Sequence, residues 1–195
     1  MQNKSCIRKQ FRSYRRSVTQ PEREAYENKI IREIESVLLK KKTWRVLTSY
    51  IPQDGEPNIT SWHRSATRKG SAILVPRITD KRQMSFHPYQ TETELEIGKY
   101  NILQPKANSE EITKDKIDCF LMPLVSYDSN GNRLGMGGGY YDKYLSDYKK
   151  GKRPFLLGIA FSNQFSSQPL PTVETDIKLN GVVNEHGFLC FDHTK

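Results

Sequence analysis

Cysteine is scarce in this 195-residue chain: Cys6, Cys119 and Cys190 are odd in number and far apart, with no C-x-x-C pair. That spacing argues against a disulfide framework. The four histidines (His63, His87, His186, His193) are equally scattered, which argues against a thiol-and-imidazole metal site. Such usage suits a reduced, cytoplasmic protein. No apolar run approaches the ~20 residues of a membrane-spanning helix. The opening MQNKSCIRKQF has no apolar centre and does not read as a secretory signal; basic and free of acid until Glu22, it leaves a transit peptide as the alternative. Repeats and low-complexity tracts are also missing. Nothing therefore divides the chain, and residues 1–195 are expected to form one domain burying roughly 70% of the unfolded surface.

Acid is the other shortage. With 31 Lys and Arg against 22 Asp and Glu, the net charge of +9 asks for anionic partners. Nucleic acid is one class; phosphorylated or polycarboxylate small molecules are another, since a positive field draws either.

Ile7, Phe11, Tyr14 and Val18 step by four, three and four residues, one apolar stripe of a helix. Lys4, Arg8, Arg12 and Arg15 form a second stripe, which is most simply a solvated face. Thr19-Gln20-Pro21-Glu22 reads as a capping box with proline in the first turn, opening a helix that turns Tyr26, Ile30, Ile34, Val37 and Leu38 inward. RVLTSYI (Arg45–Ile51) is a buried strand closed by the turn-like PQDGEPN; Thr60–Lys69 suits a short helix ended by Gly70, and SAILVP (Ser71–Pro76) a second strand. MSFHPY (Met84–Tyr89) looks more exposed, and TETELEIG with the ILQP after it loop-like. IDCFLMPLVSY (Ile117–Tyr127) and FLLGIAF (Phe155–Phe161) are continuous apolar strands, with Cys119 as core packing. GVVN and FLCF suggest a closing hairpin. Strands that alternate with helices and lack a two-residue period predict the α/β class. The expected architecture is a three-layer sandwich, a mostly parallel open sheet with helices on both faces.

The most informative stretch is RLGMGGGYYDKYL, from Arg133 to Leu145. Gly135, Gly137, Gly138 and Gly139 have no Cβ, so the backbone can reach positive φ and lie against a ligand. A strand before and a helix after would aim several N–H groups at an anion, and Arg133 adds a planar charged fork suited to phosphate. There is no GK[ST], and Tyr140 stands where G-x-G-x-x-G requires glycine, so phosphate would be held by another scheme. The structural alternatives are a mobile connection, helix-face packing for Tyr140 and Tyr141, and Asp142 as a helix N-terminal acid worth ~0.3–1 kcal/mol.

This stretch resembles, almost letter for letter, the central signature of the 5-formyltetrahydrofolate cyclo-ligase (methenyltetrahydrofolate synthetase) family. The likeness extends over nearly the whole chain: Lys4 to Arg8 resembles the family's K-x-x-L-R, SYIPQDGE its strand-end glutamate segment, and FLMPLVSYDSNGNRLG its approach to the glycine loop. Gln164, Leu170-Pro171 and Asp176 fall where it has Q, LP and D. The resemblance implies ATP- and magnesium-dependent closure of 5-formyltetrahydrofolate to 5,10-methenyltetrahydrofolate, with release of ADP and phosphate. It implies ATP contacts from Lys4, Ser5, Cys6, Ile7 and Arg8, and from Arg133, Leu134, Gly135, Met136, Gly137, Gly138, Gly139, Tyr140 and Tyr141. Folate contacts would come from Ile51, Glu56 and Met136 to Tyr140, magnesium ligation from Asp142 and Asp176, and catalysis from Arg133, Tyr140 and Asp142. The partners so implied are small molecules, the folate possibly polyglutamylated, with no nucleic acid or membrane and a monomeric protein. Two departures stand out. Pro57-Asn58-Ile59 stands before Thr60 where the family usually continues with an acidic residue and Thr, loosening the match by a residue and with it the assignment of Ile51. Gly138 stands where some members carry Lys, so one cation fewer faces the phosphates.

Two other classes compete. A nucleic-acid module using the basic first helix would show affinity falling steeply with salt, but no recognisable RNA- or DNA-binding motif supports it. Another phosphate-ligand enzyme on the same kind of fold, a sugar-phosphate isomerase or CoA transferase relative, is compatible with the architecture.

Overall fold

A computed structural model describes residues 3–79, 83–90, 95–148 and 153–191. Helix α1 (Lys4–Ser17) begins where the Asn3 side chain accepts the Ser5 N–H, a side-chain cap for an otherwise orphaned donor. Helix α2 (Gln20–Lys40) opens on the expected capping box: the Thr19 N–H and hydroxyl both donate to Glu22, at 3.1 and 2.7 Å. Its Ile30, Ile34 and Val37 are buried.

The remaining elements follow in order: β1 (Val46–Thr48), α3 (Thr60–Arg68), β2 (Ala72–Ile78), β3 (Met84–Pro88), β4 (Leu95–Ile97), β5 (Leu103–Pro105), β6 (Cys119–Pro123), β7 (Ser126–Asp128), β8 (Arg133–Leu134), α4 (Tyr140–Ser146), β9 (Phe155–Ile159), β10 (Phe165–Ser166), β11 (Gly181–Asn184) and β12 (Gly187–Cys190). Seven strands make the main sheet in the order β12-β11-β9-β6-β1-β2-β3. From β11 through β2 every pairing is parallel; β12 and β3 close the two edges antiparallel.

Side chains alternate between two covered faces. Leu47, Ile73, Val75, Cys119 and Leu121 pack with Ile30 and Ile34 of α2 and Trp62 of α3. Leu74, Phe120, Met122 and Leu156 pack with Tyr144 and Leu145 of α4. Burial on both faces explains why the strands read as continuous apolar runs, and it produces the expected α/β layering. A third, smaller core joins Ile7 and Phe11 of α1 to Val125, Leu134 and Leu170, while Tyr14 of the same stripe is exposed.

The functional consequence lies in the strand order. The chain leaves β1 for β2 and β3 on one side, then returns to β6 and continues through β9, β11 and β12 on the other. The order reverses between β1 and β6, and open α/β sheets hold ligands in the crevice beyond the carboxyl ends of such strands.

Several elements differ from the sequence reading. The apolar run from Ile117 to Tyr127 is not one strand: it breaks after Pro123, and β7 enters a separate sheet of order β10-β7-β8. The break is satisfied by Gln164, buried, whose Nε2 donates to the carbonyls of Leu124 (2.7 Å) and Val125 (3.1 Å) in place of a ladder. Strand β3 is an edge strand but not an exposed one, since Met84, Phe86 and His87 are buried and Phe86 packs edge-on against Phe120 and Tyr144. Leu95–Ile97, expected in a loop, pairs antiparallel with Leu103–Pro105; residues 91–94 of that stretch lie outside the described residues, as do 149–150 and His193.

Candidate active site

Beyond the carboxyl end of β1 the chain turns at Asp54 (φ 51°) and Gly55 (φ 77°), a left-handed pair. The turn places two acids under α1, and the basic stripe of that helix is not simply a solvated face: Arg15 is buried, while Lys4, Arg8 and Arg12 are only partly exposed. The Arg15 guanidinium is fully buried, with Nε donating to the Asp54 carbonyl (3.0 Å), Nη2 to Asp54 Oδ2 (2.7 Å) and Nη1 to the Leu124 carbonyl (3.1 Å). Arg12 Nε reaches the same carboxylate at 2.7 Å, Arg16 bonds its other oxygen, and Arg23 Nη1 donates to the Gly55 carbonyl at 2.9 Å. Glu56 lies beside them, its side chain 9% exposed, with Oε1 3.6 Å from Arg15 Nη1 and Oε2 accepting the Gln53 N–H. Burial pushes the Glu56 carboxyl up to about 7, against the opposing pull of Arg15. Ile51, just before this turn, is half-buried against the α2 and α3 side of the core.

On the β6 side, β7 and β8 form a hairpin whose turn is organised by Asp128. Its carboxylate accepts the N–H groups of Asn130 and Asn132 and the Asn132 amide, so β8 delivers Arg133 and Leu134 directly into the glycine loop. Met136 to Gly139 are exposed. Gly137 (φ 101°) and Gly139 (φ 66°) adopt backbone conformations that disfavour side chains, and a Cβ on Gly138 would lie 2.7 Å from the Tyr140 ring. Gly139 is the N-cap of α4 with no side-chain cap bond, leaving the amides of that turn to the crevice. Helix α1 closes the other flank: Arg8 Nε donates to the Gly135 carbonyl at 2.8 Å. Ser5 and Cys6 are exposed in the first turn of α1, whereas the Ile7 and Leu134 side chains are spent on the small core.

Tyr140 and Tyr141 diverge. Tyr140 is half-buried, and its hydroxyl lies 3.2 Å from that of Tyr100. The Tyr141 hydroxyl is buried with no partner among the described residues, and burial together with the Glu56 charge raises it well above the ordinary phenol range. The Arg133 fork does not point out at solvent. Only 5% exposed, it donates from Nη2 to Asp142 Oδ1 at 2.6 Å, and its buried Nε has no partner among the described residues.

Asp142 Oδ1 also accepts the Ile177 N–H at 3.2 Å, which brings it beside Asp176; Asp176 Oδ2 accepts Lys4 Nζ at 2.6 Å and the Val173 N–H at 2.9 Å. Two partly exposed carboxylates, adjacent but with no third His, Cys, Asp or Glu completing a cluster among the described residues, do not make a protein-caged metal site. They do fit a hard cation that takes one or two carboxylates and completes its shell with water and phosphate oxygens.

Hydrogen bonds and ion pairs thus link Lys4 to Asp176, Arg8 to the glycine loop, Glu56 through Arg15 to Met136, and Arg133 to Asp142 beside Asp176, all beyond the carboxyl ends of β1 and β6. Sequence reasoning did not find Asp54 or the role of Arg15. The signal was available as an Asp-Gly turn directly after a strand, facing arginines at helical spacing.

The 5-formyltetrahydrofolate cyclo-ligase family profile matches residues 1–185. The 5-formyltetrahydrofolate cyclo-ligase of Haemophilus influenzae is 26% identical over 181 residues, 91% of this chain and 95% of that one. That of Escherichia coli K12 is 30% identical over 137 residues, 69% and 74% of the two chains. Among solved structures, the 5,10-methenyltetrahydrofolate synthetase of Aquifex aeolicus superposes with a TM-score of 0.80 at 26% identity, covering 98% of this chain and 94% of that one. The enzyme of that name from Mycoplasma pneumoniae gives 0.78 at 22%, covering 94% and 99%, a likeness of fold. With crevice, glycine loop and profile in agreement over almost its full length, the chain belongs to the 5-formyltetrahydrofolate cyclo-ligase family.

Proposed function

We propose that this protein closes 5-formyltetrahydrofolate to 5,10-methenyltetrahydrofolate at the expense of ATP, releasing ADP and phosphate. The observation that carries this reading is the convergence at one switch-point crevice of exposed glycine-loop amides, two cations from α1 and a buried glutamate. Ring closure joins N10 to the formyl carbon and must expel the formyl oxygen. As hydroxide that oxygen leaves badly; as phosphate it leaves well. The formyl oxygen attacks the γ-phosphorus and displaces ADP, N10 attacks the activated carbon, and phosphate departs with the former formyl oxygen.

Phosphoryl transfer asks a protein mainly for positioning and for neutralisation of the equatorial oxygens. On this reading the amides of residues 135–140 and the side chains of Lys4 and Arg8 do that. Arg133 acts one step back, orienting Asp142. Asp142 and Asp176 would hold magnesium, which supplies further neutralisation of the triphosphate when bound. Glu56 and Tyr140 flank the folate side, Glu56 as an acceptor for pterin N–H groups and Tyr140 as an aromatic face. The excess positive charge suits an anionic folate tail.

The test is to mix the protein with 5-formyltetrahydrofolate, magnesium and ATP and follow the methenyl chromophore. Product is expected with ATP and none without it. No product, or product made equally well without ATP, would sink the proposal.

A further inference from the structure

Arg15 is the member of the basic stripe that neither substrate claims. Its nitrogens serve three segments at once: Nε and Nη2 bond Asp54 and Nη1 lies 3.6 Å from Glu56 Oε1 in the turn after β1, Nη1 also bonds the Leu124 carbonyl at the β6–β7 break, and Nη2 lies 4.0 Å from Met136 Sδ in the glycine loop. Anchoring α1 does not require all of this, because Arg12, Arg16 and Arg23 hold the same turn from its more exposed side. What Arg15 alone supplies, among the described residues, is a cation paired with Glu56. The other charged or titratable neighbours of Glu56 are the buried phenols of Tyr50 and Tyr141.

We propose that Arg15 is a positioning residue for the cyclisation: it aims Glu56 into the crevice as a carboxylate acceptor for the reduced pterin, and ties that carboxylate to the glycine loop. The folate is thereby registered against the nucleotide. A planar guanidinium fixes the direction of each bond it makes, which a lysine ammonium in the same space does not. Burial already holds the Glu56 carboxyl near neutrality with Arg15 beside it. Loss of that cation shifts it further toward the carboxylic acid, a donor where the pterin N–H groups need an acceptor.

This inference rests on the folate reading above, and the test separates the two. Arg15→Lys, Arg12→Ala, Glu56→Gln and the Arg15→Lys/Glu56→Gln double variant are compared with wild type by steady-state kinetics in each substrate, with circular dichroism to establish folding. For Arg15→Lys, kcat/KM for the folate should fall about tenfold or more while KM for ATP moves less than about threefold. Arg12→Ala, which disturbs the same turn but not Glu56, should move either by less than about threefold. The double variant should be no worse than about threefold below the weaker single, because both changes remove one interaction. If Arg15→Lys does not fold, Glu56→Gln decides: a folate-selective loss supports the assignment, and an equal loss in both substrates overturns it. The assignment also falls if folded Arg15→Lys keeps the wild-type folate parameters, if it loses both substrates equally, if the two changes are additive in the double variant, or if Arg12→Ala reproduces the folate loss. A wild type that makes no methenyl product overturns both readings; an active wild type with an indifferent Arg15→Lys overturns this one alone.

Discussion

Two clusters of opposite charges flank the crevice, and they are built differently. Under α1, a fully buried Arg15 meets Asp54 and Glu56, whose side chains are 13% and 9% exposed. Across the crevice, Lys4 meets Asp176 and Arg133 meets Asp142, with the two carboxylates about a quarter exposed. Burial pushes the Asp176 carboxyl up, but the hydrogen bonds from Lys4 and the Val173 N–H and the charges of Lys4 and Arg133 more than reverse that, leaving it below the ordinary range. Partly solvated pairs of this kind are weak and exchange partners readily; a buried pair is costly to break because its survivor is stranded away from water. The first cluster is therefore a rigid frame, one that fixes Glu56 in place. On the function proposed above, the second would trade its internal partners for a triphosphate and a cation.

The largest effect expected from that difference is on stability. Asp54→Asn keeps the shape of the turn but removes the charge that Arg12, Arg15 and Arg16 share, and it presents an amide donor to a buried guanidinium. The loss should be about 3–5 kcal/mol, read as a lower urea midpoint with an unchanged slope. A loss under about 1 kcal/mol would place this cluster with ordinary surface pairs and erase the contrast.

Asp142→Asn tests the other side. Asparagine Oδ1 can still accept from Arg133 Nη2 and the Ile177 N–H, so the local geometry survives and only the charge is lost. Turnover should fall well over tenfold, more than ~1.4 kcal/mol in the barrier, with the melting temperature close to wild type. Parallel drops in melting temperature and activity would instead make Asp142 a structural cap on α4.

Most of the fold was legible because it follows local rules. Thr19 and Glu22 announced the start of α2, and the apolar runs announced strands buried on both faces. The break after Pro123 was not legible, since Leu124 and Val125 are as apolar as the strand before them and the bonds that end it come from Gln164, some forty residues further on. The glycine loop identified itself by its letters and by its neighbours on both sides. Arg12 and Arg15 misled for a physical reason: a basic helical stripe looks the same whether it faces water or an acidic turn, and Asp54 and Glu56 are brought beneath it only by the crossing of α1 over the end of β1.

Arg8 lies between the two clusters, and its effect should be the smallest of the three. Its Nε pins the Gly135 carbonyl at 2.8 Å, and its Cζ would lie 3.3 Å from a Cβ on Gly137, so it both shapes the glycine loop and brings a charge to it. Arg8→Ala removes one partly buried hydrogen bond and, on the proposed function, one cation facing the phosphates. It leaves the Asp54 turn and the Glu56 pocket intact. The KM for ATP should rise about five- to tenfold, or ~1–1.4 kcal/mol, with the folate KM changed less than about twofold and stability nearly unaltered. The reverse ordering, folate weakened more than nucleotide, would move the amino-terminal turn of α1 to the folate side and dissolve the division of labour between the two clusters.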